Sequence, residues 1–545
     1  MRPKHHPDMN GVFQAGEPRV PAGLEPYQGP WNAQTAAHLL RRTIFGPTKS
    51  EIAFAASRSL EGVIAQLFQE QPPPPLPVDP TTGLTWIGNV FDSASDSRYQ
   101  GYLKSWWMGL MATQGISLRE RMVLFWHNHF PTGYQTVPDS RFLYRQNALF
   151  RSFAFGNIKE LVKAVTVDPA MLYYLNGYRN RGDGNNTPDE NYGRELQELF
   201  TIGKGPQIGP GDYTHYTEQD VKAAAHALTG WRAKGYRIPD DPNIDPYFWQ
   251  QWHDTKDKVF SEAYQNTVIS GGSDGARELN DLIEMIFRQP ETARFLCRKL
   301  YRWFVYYEID AAAEENVITP MADLLRGNNY EVRPVLEALF RSSHFYDVNN
   351  IGCMIRNPID LIAGTLRRLE IPLPAPESQA AAFYPLMASL VNTAATLQMN
   401  LMEPPDVAGW PAYYLSPEFH RLWLNTITLP SRWAYTDSLV NGLRAAGSTY
   451  AVDVIAMAKQ VSVPVEPKVL ISEWAQILFP FGPTADQLEY LDRSVLIPGL
   501  PDYEWTQYWA SYVADPNNTQ KRSAVTTRLA ALLKFMMRMA EFELS

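Results

Sequence analysis

The chain lacks several features that would assign its class at once. It has two cysteines in 545 residues, Cys297 and Cys353, and neither has a CxxC neighbour. A disulfide scaffold is therefore excluded, and the redox compartment stays open. No stretch of about 18 apolar residues occurs, so no membrane span is expected. No run of lysine or arginine occurs either. The 49 basic and 58 acidic residues give a formal charge of −9, whereas a general nucleic-acid binder would need a cationic face. The N-terminal stretch Met1 to Pro30 is polar, with His5, His6 and several prolines. It lacks the basic-then-apolar layout of a signal peptide and reads as a flexible arm. Periplasmic, exported and cytoplasmic locations all remain compatible with that.

What is present is apolar and aromatic. The chain is 45% hydrophobic and 20% charged, a globular composition with ample material for a core and no basis for wholesale disorder. Aromatic residues reach 12%, with 15 Trp, beside 42 Pro. At roughly 150 residues per domain, length alone suggests three to four units, but the periodicity is helical almost throughout. Asn32 to Arg42 carries Ala33, Ala36, Ala37 and Leu40 and is stopped by Gly46-Pro47. Thr48 and Glu51 form a capping box, and Ser59 opens the next helix. Pro72 to Pro75 is a stiff spacer within 71–80. Further helices are expected over about 99–113, 118–128, 139–155, 157–166, 188–202, 218–229, 275–288, 290–306, 331–341, 357–369, 376–397 and 518–543. Trp231 to Ile238 and Tyr247 to Phe260 alternate in places, the pattern of a small hairpin. The expected fold is mainly α: an arm over 1–30, a large multi-helix single core over 31–440 with a β-hairpin insertion near 231–262, and a helical C-terminal region over 441–545 packed on it.

Five segments carry residues suited to chemistry. In the first, Ser117 and Glu120 make a capping box that leads into Phe125-Trp126-His127-Asn128-His129-Phe130. Glu120 and His127 share a helix face, and His129 converges on them only if the helix ends there, as Pro131 and Gly133 suggest. Two imidazoles and a carboxylate are a common divalent-metal set, which makes Glu120, His127 and His129 the candidate metal ligands. The alternative is a pair of histidines making core hydrogen bonds. The acidic chain and helical context argue against the ββα nuclease motif that shares the letters His-Asn-His.

The second segment runs from Asn185 to Phe200. Thr187 reads as an N-cap with Pro188 and Glu190 at the first and third helical positions, and Glu190 and Arg194 as an i,i+4 ion pair. Glu195 and Glu198 lie three apart and so are helix neighbours. Paired carboxylates suit metal ligation or acid–base work on a glycosidic bond, and a solvated charged face is the alternative. Third, Tyr216 to Asp220 starts a helix holding His226, which reads as a packed histidine. Fourth, His253 beside Asp254 on the presumed hairpin suits ligation or a proton relay. Fifth, Glu403 to Pro411 is a proline-braced loop in which Gly409 lets the backbone turn. Its Trp410, with Trp423 downstream, would either stack on a sugar or hold the loop to the core.

Together these stretches resemble the bacterial domain-of-unknown-function 1800 family. The resemblance rests on Ala37 to Arg42 with Phe45-Gly46-Pro47, on Phe125 to Phe130, and on Asn191 to Leu196 through Gly203. It continues through Ala227 to Trp231, His253-Asp254, Phe295 to Leu300 and Glu403 to Pro411, and so runs from about Trp31 to about Pro430; Ala540-Glu541-Phe542 also fits. The resemblance implies an exported or envelope-associated bacterial setting, and a partner from a gene-neighbour family, number 1501, that looks like sulfatases and phosphatases. It supplies no established catalytic residues. The absent signal, the long Asp183-to-Pro188 loop and the Gln207-to-Thr214 insertion depart from some members.

The leading expectation is a hydrolase of the glycoside hydrolase type acting on a polysaccharide. Glu195 and Glu198 would be acid, base or nucleophile, with His127, His129, His253 and Asp254 as ligands or relays. Tyr192, Trp126, Arg194, Trp231, Trp410, Trp423 and Asn191 would contact sugar. One rival is a metal-dependent hydrolase or oxidase that uses a divalent metal. Another is a non-catalytic envelope protein that partners a neighbour.

Overall fold

A computed structural model describes residues 22–184, 186–501 and 503–545. Helices dominate, and the strands are confined to two-stranded antiparallel hairpins, as a mainly α chain should give. One continuous apolar cluster reaches from Ala36 to Phe542. Among the described residues, no helix is long and apolar enough to cross a membrane.

The local signals explain most of the helices. Asn32 caps Ala33–Thr43 by accepting from the Gln34 and Thr35 amides at 2.9 and 3.2 Å. The Thr48–Glu51 box forms as expected, and the same Glu51 carboxylate receives Arg367 at 2.6 Å. Ala33–Thr43 leads into Gly46, where the backbone passes against Gly364 of Pro358–Arg368. A Cβ at Gly46 would sit 2.3 Å from the Gly364 Cα, and its φ is +69°, so the Phe45-Gly46-Pro47 stop is also a helix-packing contact. Pro72 to Pro75 is a strap on the helices rather than a spacer. Trp106 Nε1 donates to Pro75 O at 2.8 Å and Arg119 Nη1 to Gln71 O at 2.6 Å.

Two expectations shift at the ends of elements. The hairpin pairs Trp231–Ala233 with Pro246–Phe248, and a second pairs Lys258–Val259 with Val268–Ile269, so the aromatic 231–260 stretch divides between two ribbons. The expected arm packs earlier than residue 30: Tyr27 N donates to Arg341 O at 2.7 Å and Ser343 N to Glu25 O at 2.8 Å. His5 and His6 lie outside the described residues.

Candidate functional site

The proposed Glu120, His127 and His129 metal set does not assemble. The Ser117–Glu120 capping box does not form; Ser117 Oγ accepts from the Arg119 amide instead, and the helix Arg119–His129 begins without a side-chain cap. Glu120 turns inward. Arg151 grips both of its oxygens, Nε to Oε1 at 2.7 Å and Nη2 to Oε2 at 2.8 Å, and Trp107 Nε1 adds a third bond at 3.0 Å. The Glu120 charge is thus compensated by Arg151 within the fold. His127 sits among rings, edge-on to Trp107 at 5.4 Å and beside Trp410 at 5.8 Å. Among the described residues, no group of three His, Cys, Asp or Glu side chains is placed to hold a metal ion.

The same helix end instead joins the two segments that carry the acidic residues. His129 Nε2 donates to Phe200 O at 3.0 Å; a carbonyl can only accept, so that nitrogen carries the proton. Burial pushes both His127 and His129 down to about 3, and they stay neutral at physiological pH. Asn128 Oδ1 accepts from the Trp410 amide at 2.9 Å. Gly409 lies directly on this residue: its φ is +94°, and a Cβ there would come within 2.4 Å of Asn128 O. His129 thus holds one segment and Asn128 the other. Asn128 was not singled out from the sequence, although it lies in the motif.

The segment held by His129 begins three residues later than the Thr187 cap predicts. The helix is Asn191–Glu195, with Asp189 Oδ1 accepting from the Asn191 amide at 2.9 Å. It continues as a π-helical turn, Leu196–Thr201, a distortion that recurs at functional sites. Thr201 Oγ1 donates to Leu196 O, and Gln197 Nε2 to Gly193 O. Glu198 is held by Lys204 Nζ at 2.6 Å and by the Tyr216 hydroxyl at 2.9 Å. Arg194 forms the expected pair with Glu190 at 3.3 Å, but its main partner is Glu218 at 2.6 and 2.9 Å. Its guanidinium is therefore committed to the fold rather than offered to a substrate.

Glu195 differs from these neighbours. It is half-buried and has no hydrogen bond or ion pair among the described residues. Its carboxyl is pushed up to about 7, chiefly by burial, then by Glu198 and by Asp406 on the 403–411 loop; Arg194 and Lys204 oppose the shift. Tyr174 reports the same convergence, since burial and the charges of Asp406, Glu403 and Glu195 push its hydroxyl up to about 12. Carboxylates from two distant segments thus meet around one phenol. Asp406 is exposed; it accepts from the Ala408 amide at 3.0 Å and hydrogen-bonds the Tyr414 hydroxyl. Glu403, from the same loop, contacts Lys104 and accepts from the Tyr134 amide at 3.0 Å. That loop also walls a cleft of about 740 Å³, lined by Asn400, Glu403, Leu415, Arg421 and Asn425 among others.

Asp254 pairs with His226 rather than acting with its neighbour His253. His226 Nδ1 bonds Asp254 Oδ2, and the imidazole is 41% exposed. It is thus presented to solvent, not packed as its Ala-rich helix suggests. His253 is part of a buried network: Nδ1 donates to Thr229 O at 2.9 Å, and Nε2 lies 3.2 Å from Glu278, which Lys258 meets at 2.6 Å. Burial leaves His253 no access to a substrate.

Most of the aromatic candidates are core. Trp126 and Trp410 are fully buried and Trp423 is 3% exposed, so none offers a ring face to a sugar. Trp126 Nε1 donates to Ala154 O. Trp410 and Trp423 hold the loop to the core and border the cleft. Tyr192 is buried with its hydroxyl donating to Thr166 Oγ1 at 2.9 Å. Trp231 packs against Phe248 at 5.4 Å. Asn191 is exposed. An accessible ring beside these segments that sequence reasoning missed is Trp249, which is 37% exposed and stacked on Trp252 at 5.3 Å.

A family model described as a protein of unknown function (DUF1800) matches residues 38–544. The chain belongs to that family, and the match extends well past Pro430 into the C-terminal helices. No curated protein and no solved structure matches.

Proposed function

We propose that the protein is a hydrolase acting on a glycan or similar polyhydroxylated polymer, with Glu195 as general acid. The observation that carries this is the Glu195 carboxyl, unpaired, half-buried and held at about 7 between Glu198 and Asp406. A carboxyl at that value is still substantially protonated near neutral pH and can donate to a leaving oxygen, which is what glycosidic cleavage requires. Asp406, on the facing loop, is the second carboxylate. It takes a proton from water as the water attacks the anomeric carbon, while Glu195 protonates the departing glycosidic oxygen. Glu198, engaged by Lys204 and Tyr216, raises Glu195 rather than reacting. The cleft beside the same loop is lined by neither Glu195 nor Asp406, so it is room for flanking units of a polymer and not for the bond that is cut.

The test is reducing-end release from a panel of polysaccharides by the wild type, Glu195→Gln and Asp406→Asn. Each variant should lose about 100-fold or more of the rate, and the wild-type rate should fall above about pH 7 as Glu195 ionises. Absence of cleavage across the panel, or full activity in both variants, would discard the assignment. The burial of His127, His129 and His253 favours a second reading, a non-catalytic partner protein in which these side chains only hold the fold. That reading predicts no turnover with any glycan.

A further inference from the structure

The carboxylate site makes no use of the Ala37 to Arg42 stretch, whose charges are unusually placed. Arg41 and Arg42 end the helix Ala33–Thr43, where cations suit the helix dipole, yet both are 4% exposed. Their hydrogen bonds go to uncharged groups. Arg41 Nη2 donates to Gln476 O at 2.7 Å; Arg42 Nη2 donates to Asn350 O at 2.8 Å and to Cys353 Sγ at 3.2 Å. Arg356 and Arg368 are buried nearby. Arg356 donates to Leu478 O, and burial and the neighbouring cations push it down.

Carboxylates are scarce around them. Asp360 is taken by Arg121 at 2.6 Å and by Asn357, and Glu543 by Arg432 at 2.7 Å. Arg41, Arg42, Arg356 and Arg368 therefore have no ion-pair partner among the described residues. Buried guanidiniums without a counter-charge are costly. The neighbouring histidines add no further positive charge: His38 and His420 are pushed down to about 3 and about 4, first by burial and then by Arg42, and stay neutral.

A cavity opens among these groups. It is lined by Arg41, Arg42, Arg121, Asn357, Asp360 and His420, among others, and has room of about 20 Å³. Nε of Arg41, Arg42 and Arg121, and Nδ1 of His420, have no hydrogen-bond partner although all are buried. Asp360 offsets Arg121, which leaves the charges of Arg41 and Arg42 uncompensated; together with the unpaired donors of all three guanidiniums they form an anion cradle. The space admits a body slightly larger than one water and is too small for a tetrahedral oxyanion.

We propose that this cavity binds one small monovalent anion of halide size, held by the Arg41, Arg42 and Arg121 guanidiniums. The experiment is thermal unfolding of the whole protein in sodium gluconate, with chloride or bromide substituted at constant ionic strength. The unfolding temperature should stay level below a dissociation constant of about 10 mM and then rise with the logarithm of halide concentration, by about 1 °C at tenfold excess, for both ions. A bromide-soaked crystal should show an anomalous peak within the cavity. Arg42→Gln, if it folds, should weaken the halide effect by about tenfold; the wild-type response and the bromide peak stand without it. Identical unfolding in gluconate and halide, or a cavity without bromide, would each overturn the assignment.

Discussion

Replacing Glu195 with glutamine removes a charge that the fold holds at a disadvantage, and the consequence can be worked out without knowing a substrate. The carboxyl stands at about 7 in the folded protein against an ordinary value of 4.5. Below pH 4.5 it is protonated in both folded and unfolded chains and contributes no difference. Between 4.5 and 7 the folded state binds the extra proton, so its stability falls as pH rises through that window. Above 7 both states are ionised and the full penalty is present, about 3 kcal/mol, or about 2 once the part-exposed side is screened. Glutamine mimics the protonated acid and escapes this penalty. Glu195→Gln should therefore match the wild type near pH 4.5 and be more stable at pH 8, by about 2 °C in a chain of this length. Thermal scans at matched rates across that pH range read the difference directly. An infrared difference spectrum should also show a protonated-carboxyl band at pH 6 that the variant lacks. A stability difference that does not change with pH, or one that favours the wild type at pH 8, would refute the assigned environment of Glu195.

The positioning residues give further outcomes. Asn128→Ala removes the acceptor for the Trp410 amide and should destabilise by about 1–3 kcal/mol, read by chemical denaturation; retention of wild-type stability would mean the loop is held otherwise. Gly409→Ala puts a Cβ within 2.4 Å of Asn128 O at a positive φ and should be at least as damaging, with protease sensitivity at 403–411 as the readout. Arg151→Met strands the buried Glu120 carboxylate and should cost about 3–5 kcal/mol, whereas a metal-ligand role for Glu120 would leave stability dependent on chelator instead. Elemental analysis of the purified protein should accordingly find no stoichiometric transition metal bound by Glu120, His127 and His129.

The parts of the fold that were legible rest on short-range chemistry. The Thr48–Glu51 box, the Asn32 start and the Thr217–Asp220 start each involve groups within three residues, so adjacent letters suffice. The Thr187 start failed because the chain before the helix is held by tertiary contact, the Asp189 amide donating to Asn180 Oδ1 at 3.0 Å, and the helix begins at Asn191 without a side-chain cap. Pro169–Tyr174 was missed altogether, although Asp168 and Pro169 supply its cap and first position; six residues are too few to show a helical period. Its loss hid Tyr174, the phenol around which the carboxylates gather. Glu195 and Glu198 were legible as a pair because i,i+3 spacing makes them neighbours. Which of the two is free was not, since Lys204 and Tyr216 reach Glu198 from beyond the helix.

By itself the sequence determined the helical class, the family, and the segments from which the site is made, because periodicity, caps and collinear motifs are properties of neighbouring residues. Only the tertiary structure decided what each segment does. It turned Glu120 inward to Arg151 and joined Asp254 to His226. It buried the tryptophans that a ligand would need, and it used His129 and Asn128 as a bracket between residues 200 and 410. The physical reason is that burial and long-range pairing set a side chain's charge and access, and the partners responsible lie up to several hundred residues away along the chain.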